Sequence, residues 1–213
     1  MRRAEPAAAL TAAVLPVLPR QTTLHNPLHS PLQTPRDEAL PPLFHLLLFG
    51  AGHVGQALVT LLGRLPCVVQ WVDVRDEQFP DETPANVQIE ATDTPEALVD
   101  AAPPGAYFLV MTHDHALDFA LAQRILRRGD FAYFGMIGSH TKRVKFERRL
   151  LERGVDPARI GAMVCPVGVP GIADKAPASI ALAVCAELLC MRSRAHREAG
   201  PGLPSLRRMA QPV

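Results

Sequence analysis

The chain has 213 residues, with 22 lysines and arginines against 21 aspartates and glutamates and a formal net charge of +1 at pH 7. That length suits one α/β domain with a substantial core and is too short for two large ones. Balanced, interspersed charge excludes a general electrostatic footprint for nucleic acid or an anionic membrane, and no apolar run reaches the length of a transmembrane span.

Arginine carries nearly all the positive charge; Lys142, Lys145 and Lys175 are the only lysines. The four cysteines, Cys67, Cys165, Cys185 and Cys190, form no C-x-x-C pair, so free thiols in a reducing compartment are expected rather than a disulfide or zinc site. Met1 to Pro42 is rich in proline and lacks periodicity, which reads as a linker or disordered arm (1–42) before a domain over 43–193. Arg2 and Arg3 ahead of Ala7 to Leu18 faintly suggest a targeting sequence, but Glu5, Pro6 and Pro16 interrupt it.

The domain opens on Leu46-Leu47-Leu48-Phe49, a continuous apolar run expected of a parallel strand covered on both faces. Gly50-Ala51-Gly52-His53-Val54-Gly55 follows and fits G-x-G-x-x-G. In that motif the first glycine makes the turn, the second lets backbone approach a phosphate, and the third lets helix pack on strand. Val54, Leu58, Leu61 and Leu62 then share one helical face. Cys67 to Val72 reads as the second strand, ending at Asp73, where such folds often hold a ribose hydroxyl. The bland alternative is a tight βαβ turn that binds nothing.

Val74 to Ala85 is charged and carries Pro80 and Pro84, so a loop is expected; Val87 to Ile89 is a short strand and Pro95 to Ala101 a helix with Thr94 as N-cap. Tyr107 to Met111 is a fourth strand, Ala116 to Arg128 a helix, and Phe131 to Ile137 a fifth strand. A basic helix over Thr141 to Arg153, a sixth strand over Gly161 to Pro166, and a long apolar helix ending near Cys190 to Arg192 complete the pattern, leaving 194–213 as a flexible tail. The repeated β-α-β alternation predicts a doubly wound, mostly parallel Rossmann-like sheet of order 3-2-1-4-5-6.

Ligands of such sheets sit beyond the strand carboxyl ends, at the switch between the first and fourth strands. Three loops should meet there. Besides the glycine turn these are Thr112-His113-Asp114-His115, with Asp118 one turn on, and Gly138-Ser139-His140-Thr141-Lys142-Arg143. The histidine loop reads as an acid–base or metal site, or as a helix cap with solvent-facing imidazoles. No other cysteine or histidine cluster completes a ligand set, so no metal site is assigned. In the third loop, cations at a helix N-terminus oppose the dipole; a bound anion would compensate, or the side chains simply face water. His53 either faces the crevice or is merely exposed. Asp73 favours an unphosphorylated ribose while Arg75 could take a 2′-phosphate, so NAD, NADP and neither stay open. Tyr107 and Tyr133 have no lysine four residues on, and no catalytic constellation emerges.

The blocks FGAGHVGQAL, VDVRDEQFP, MTHDHALDFAL, YFGMIGSHTKRVKFERRL and CPVGVPGIADKAPASIALAV, in unbroken order between Phe44 and Cys190, resemble the carboxy-terminal Rossmann domain of the XdhC family of xanthine dehydrogenase accessory proteins. The resemblance implies a cytoplasmic maturation chaperone rather than an enzyme. Such a protein binds molybdenum cofactor (molybdopterin), protects it during sulfuration and delivers it to apo-xanthine dehydrogenase. Cysteine desulfurase and cofactor-synthesis proteins are the further partners implied, and self-association is expected of the family. Carried over by position, Gly50, Gly52, Gly55, Thr112, Asp114, Gly138, Ser139, Lys142 and Arg143 are the expected cofactor-binding residues, with His53 and Asp73 beside them. Family members usually carry an additional amino-terminal domain with glycine and cysteine motifs, so the chain looks like the Rossmann half alone. The competing expectation is an NAD(P)-dependent oxidoreductase.

Overall fold

The apolar run at the start of the domain forms the centre of the sheet. In the computed structural model, which describes residues 44–198, β1 (His45–Phe49) pairs in parallel with β2 (Val68–Asp73) on one side and β4 (Tyr107–Val110) on the other. Leu46 sits opposite Val69 and Tyr107, which fixes the register of all three strands. β3 (Val87–Ala91) extends the sheet beyond β2, and β5 (Tyr133–Met136) and β6 (Met163–Val164) extend it beyond β4. The order is β3-β2-β1-β4-β5-β6, all parallel, as the alternation predicted.

Successive side chains of a strand point to opposite faces, and both faces here are apolar. Leu47, Phe49, Phe108, Val110, Phe134 and Met136 pack beneath α2 (Pro95–Ala101), α3 (His115–Arg128), α4 (His140–Glu152) and α5 (Pro157–Gly161), which contribute residues such as Val99, Phe119, Phe146 and Ile160. Leu46, Leu48, Val69, Trp71, Tyr107 and Leu109 pack beneath α1 (His53–Leu62) and α6 (Pro177–Glu198) through Leu58, Leu62, Val184 and Leu188. The long apolar helix therefore covers the sheet.

Several details differ from expectation. Thr94 precedes α2 but makes no side-chain cap; its own amide donates instead to Thr92 Oγ1 at 3.2 Å. The sixth strand shrinks to Met163–Val164, and α5 occupies the start of the expected strand, with Asp156 Oδ1 accepting from the Ala158 amide at 2.9 Å and Pro157 in the first turn. α6 continues to Glu198, past the expected domain end at 193. The proposed arm (1–42) and the rest of the tail lie outside the described residues. Among the described residues no helix is long and apolar enough to cross a membrane.

Candidate functional site

The three loops do meet at the carboxyl rim of the sheet. Gly50 has φ +118°, and a Cβ there would stand 2.4 Å from the Met111 carbonyl oxygen, so the glycine turn presses directly on the end of β4. A Cβ on Gly55 would stand 2.3 Å from the Gly50 oxygen. Both glycines are demanded by the fold. Gly52 is different: its φ of −70° and ψ of −177° suit any residue, and a Cβ would meet nothing within 4 Å. Gly52 is the N-cap of α1 and supplies no side chain to it, and the amides of His53, Val54 and Gly55 have no acceptor among the described residues. The turn is fixed from beneath, where Trp71 Nε1 donates to the Gly50 oxygen at 3.0 Å and Gln56 Nε2 to the Ala51 oxygen at 3.2 Å. His53, the first residue of α1, is exposed.

Asp73 is buried, and its carboxylate is engaged within the chain. Oδ2 accepts from the Ala51 amide at 2.7 Å and from Arg75 at 3.1 Å; Oδ1 accepts from the Arg75 amide and Nε, each at 3.0 Å. Burial alone would raise this carboxyl, but the Arg75 side chain and the Ala51 amide together hold it below the ordinary carboxylate range. Four contacts fill the lone-pair sites of a carboxylate. A ribose diol would have to displace Arg75 to reach it. The crevice beside it, between Asp73, Pro95, Thr112 and Leu117, holds a cavity of only about 10 Å³.

The second and third loops are joined through Asp118, which is fully buried. Its Oδ1 accepts from Thr112 Oγ1 at 2.7 Å and from the Thr112 amide at 3.2 Å, and its Oδ2 accepts from Lys142 Nζ at 2.6 Å. Lys142 Nζ also donates to the Ile137 oxygen at 3.0 Å. Asp114 caps α3, accepting from the Ala116 amide at 2.7 Å, and His113 and His115 are exposed. Among the described residues no group of three or more histidines, cysteines or acids is placed to hold a metal ion.

Ser139 caps α4 by accepting from the Lys142 amide at 3.2 Å. Arg143 pairs with Glu147 at 2.6 Å and donates to the Cys165 oxygen at 3.2 Å. Compensation for cations in the first turn of α4 thus comes in part from Asp118 and Glu147 inside the chain. A Cβ on Gly138 would stand 2.8 Å from Lys142 and 3.2 Å from Cys165 Sγ, so this glycine lets the lysine fold back beneath its own turn. Burial raises the Cys165 thiol, opposed by the charges of Lys142 and Arg143. Sequence reasoning placed Asp118 near the site but missed its pairing with Lys142, and it passed over Cys165 and Gln56. An acid inside the apolar stripe of a helix was the available signal for the first.

The family model for the XdhC Rossmann domain matches residues 46–188. The uncharacterized protein YqeB of Escherichia coli K12 is 30% identical over 156 residues, which span 70% of this chain and 28% of that protein. A solved structure described as a xanthine dehydrogenase (BH1974) from Bacillus halodurans superposes with a TM-score of 0.61 at 24% identity, over 75% of this chain and 45% of that one. That likeness establishes a shared fold. The chain spans less than half the length of either protein.

Proposed function

The chain belongs to the XdhC Rossmann-domain family, and from that premise we propose that it acts in the maturation of a xanthine dehydrogenase, as a domain that binds molybdenum cofactor. The observation that carries this reading is Gly52, a glycine that neither backbone geometry nor packing requires, at the uncapped start of α1. An open helix N-terminus with unpaired amides is a site for phosphate, and the pterin of molybdenum cofactor carries one. The fit extends to that phosphate. Cys165 is 2% exposed, so the described rim offers no ready thiolate to the metal, and protection of the molybdenum centre would fall to a partner or to another part of a longer protein. When bound, the cofactor supplies the redox centre of the target enzyme, while the chain's own residues hold and orient its phosphate.

A chaperone role rather than catalysis is supported by the pairing of Asp73 with Arg75 and of Asp118 with Lys142, which leaves these groups committed to structure. The role would be exercised in the cytoplasm, with apo-xanthine dehydrogenase as recipient and a cysteine desulfurase as sulfur source. The test is expression in a host that makes the cofactor, followed by assay of the purified protein for molybdenum and pterin. Both should be present and both should be lost in Gly52→Val. Protein that arrives empty yet binds NAD(P)H tightly and turns over a small substrate would replace this reading with an oxidoreductase.

A further inference from the structure

Acids and bases are segregated across the sheet. From Asp76 to Asp100, the stretch containing β3 and α2, there are eight acids and no lysine or arginine. α4, which follows β5 on the other side of the sheet, carries Lys142, Arg143, Lys145, Arg148 and Arg149 against Glu147 and Glu152. α4 thus carries five cations against two acids of its own, an excess of positive charge on that helix.

These cations are not equivalent. Lys142 and Arg143 are engaged with Asp118 and Glu147, and Arg148 lies 3.7 Å from Glu152 with both side chains largely exposed. Lys145 and Arg149 have no carboxylate within 4.0 Å among the described residues. Arg149 is nonetheless held: its guanidinium stands over the Phe119 ring, 4.1 Å from the centroid, and Phe119 packs edge-on against Phe146 at 5.4 Å. Both cations border a cleft of about 360 Å³ between the start of α3 and the outer side of α4, with Phe146, His115 and Arg148 also in its wall and no carboxylate there.

We propose that this cleft binds a phosphate monoester carried by a small molecule of about mononucleotide size. The volume lies near the lower end for small-molecule pockets. The cations line a concavity rather than a flat surface, which favours a compact ligand over an acidic protein face. A guanidinium pre-oriented on an aromatic ring gives a phosphate two parallel donors, and an unpaired lysine adds a point charge. Lys142 is a positioning residue: it borders the cleft, and its ammonium is anchored on Asp118 and the Ile137 oxygen. The site is separate from the glycine turn and does not depend on the cofactor reading.

Calorimetric titration of the full chain with adenosine monophosphate and with inorganic phosphate tests this. Saturable binding of the monophosphate, weakened about tenfold or more in Lys145→Ala/Arg149→Ala, is expected. Arg153→Ala removes a charge from the end of the same helix outside the cleft and should change affinity by less than about twofold. Circular dichroism melts confirm that each variant folds. The proposal is overturned by unchanged affinity in the double variant, by an equal loss in Arg153→Ala, or by inorganic phosphate binding where the monoester does not. Gly52→Val should retain monophosphate binding while losing pterin, so this proposal and the cofactor reading fail separately. Monophosphate binding that vanishes in Gly52→Val and survives in the double variant would also overturn it.

Discussion

Gly50, Gly52 and Gly55 belong to one motif and answer to different physics. Alanine at Gly50 or Gly55 forces a carbon to within 2.4 Å or 2.3 Å of a backbone oxygen, and at Gly50 it also meets a φ of +118°. Each should cost several kcal/mol or abolish folding, since packed backbone has nowhere to move. Gly52→Ala should fold with a loss under about 1 kcal/mol, the difference expected between glycine and alanine at an N-cap, while weakening binding of a phosphate-bearing ligand. Thermal melts of the three variants separate these outcomes. Equal destabilisation at all three positions would remove Gly52 from the site. The motif was legible in the sequence, but the division of labour was not. It depends on where the oxygen of Met111 lies, in a distant part of the chain, and local spacing carries no record of that. The same holds for Asp73: its position at the end of β2 was evident, and its capture by Arg75 and the Ala51 amide was not.

Elements here are tied by single polar contacts at their ends, and two of these make sharp predictions. The Asp73 clasp joins the end of β2 to the glycine turn. A carboxyl whose folded pKa lies below its unfolded value contributes stability that is fully present above about pH 4 and is lost as pH falls through the lower, folded value. Asp73→Asn should therefore cost about 2 kcal/mol at neutral pH, and the gap from the parent should narrow as unfolding is measured at progressively lower pH below about 4. A gap independent of pH would mean that the charge of Asp73 contributes nothing. The second contact, Lys142 on Asp118, joins α4 to α3. Lys142→Met leaves a fully buried carboxylate without its cation and should cost about 3–5 kcal/mol; adding Asp118→Asn should recover part of that, because the stranded charge is gone. Denaturant melts of the single and double variants decide it. Long apolar runs made the strands legible, whereas α5 was missed although Asp156-Pro157 is a helix-start signature. Its few residues gave no periodicity, and Pro166, lacking an amide, helped make the stretch from Gly161 look like a strand running to a proline stop.

Across the whole molecule, one sheet separates two apolar layers, and the cysteines sample both. Cys165 lies in the layer beneath α2 to α5, whereas Cys67 and Cys185 lie in the layer beneath α1 and α6. All four thiols are free, and only Cys190 is exposed. Burial raises the three inner thiols, Cys67 to about 11, so the reactive thiolate is scarce as well as shielded. An aromatic disulfide reagent should therefore label one thiol rapidly and three only as the structure opens. Because β1, β2, β4 and β5 each contribute side chains to both layers, neither layer can open while these strands persist, and the domain should unfold as one cooperative unit. Cys67, Cys165 and Cys185 should then share one opening free energy and one dependence on denaturant. Mass-spectrometric quantitation of labelling at each position measures this directly. Faster labelling of Cys165 alone would place a weaker unit at the β6 edge, where only Phe134 and Gly135 pair with the last strand. The Lys142 and Arg143 contacts would then open separately from the glycine turn, and the carboxyl rim would be two halves, with the proposed phosphate cleft on the mobile one and the open helix of Gly52 on the rigid one.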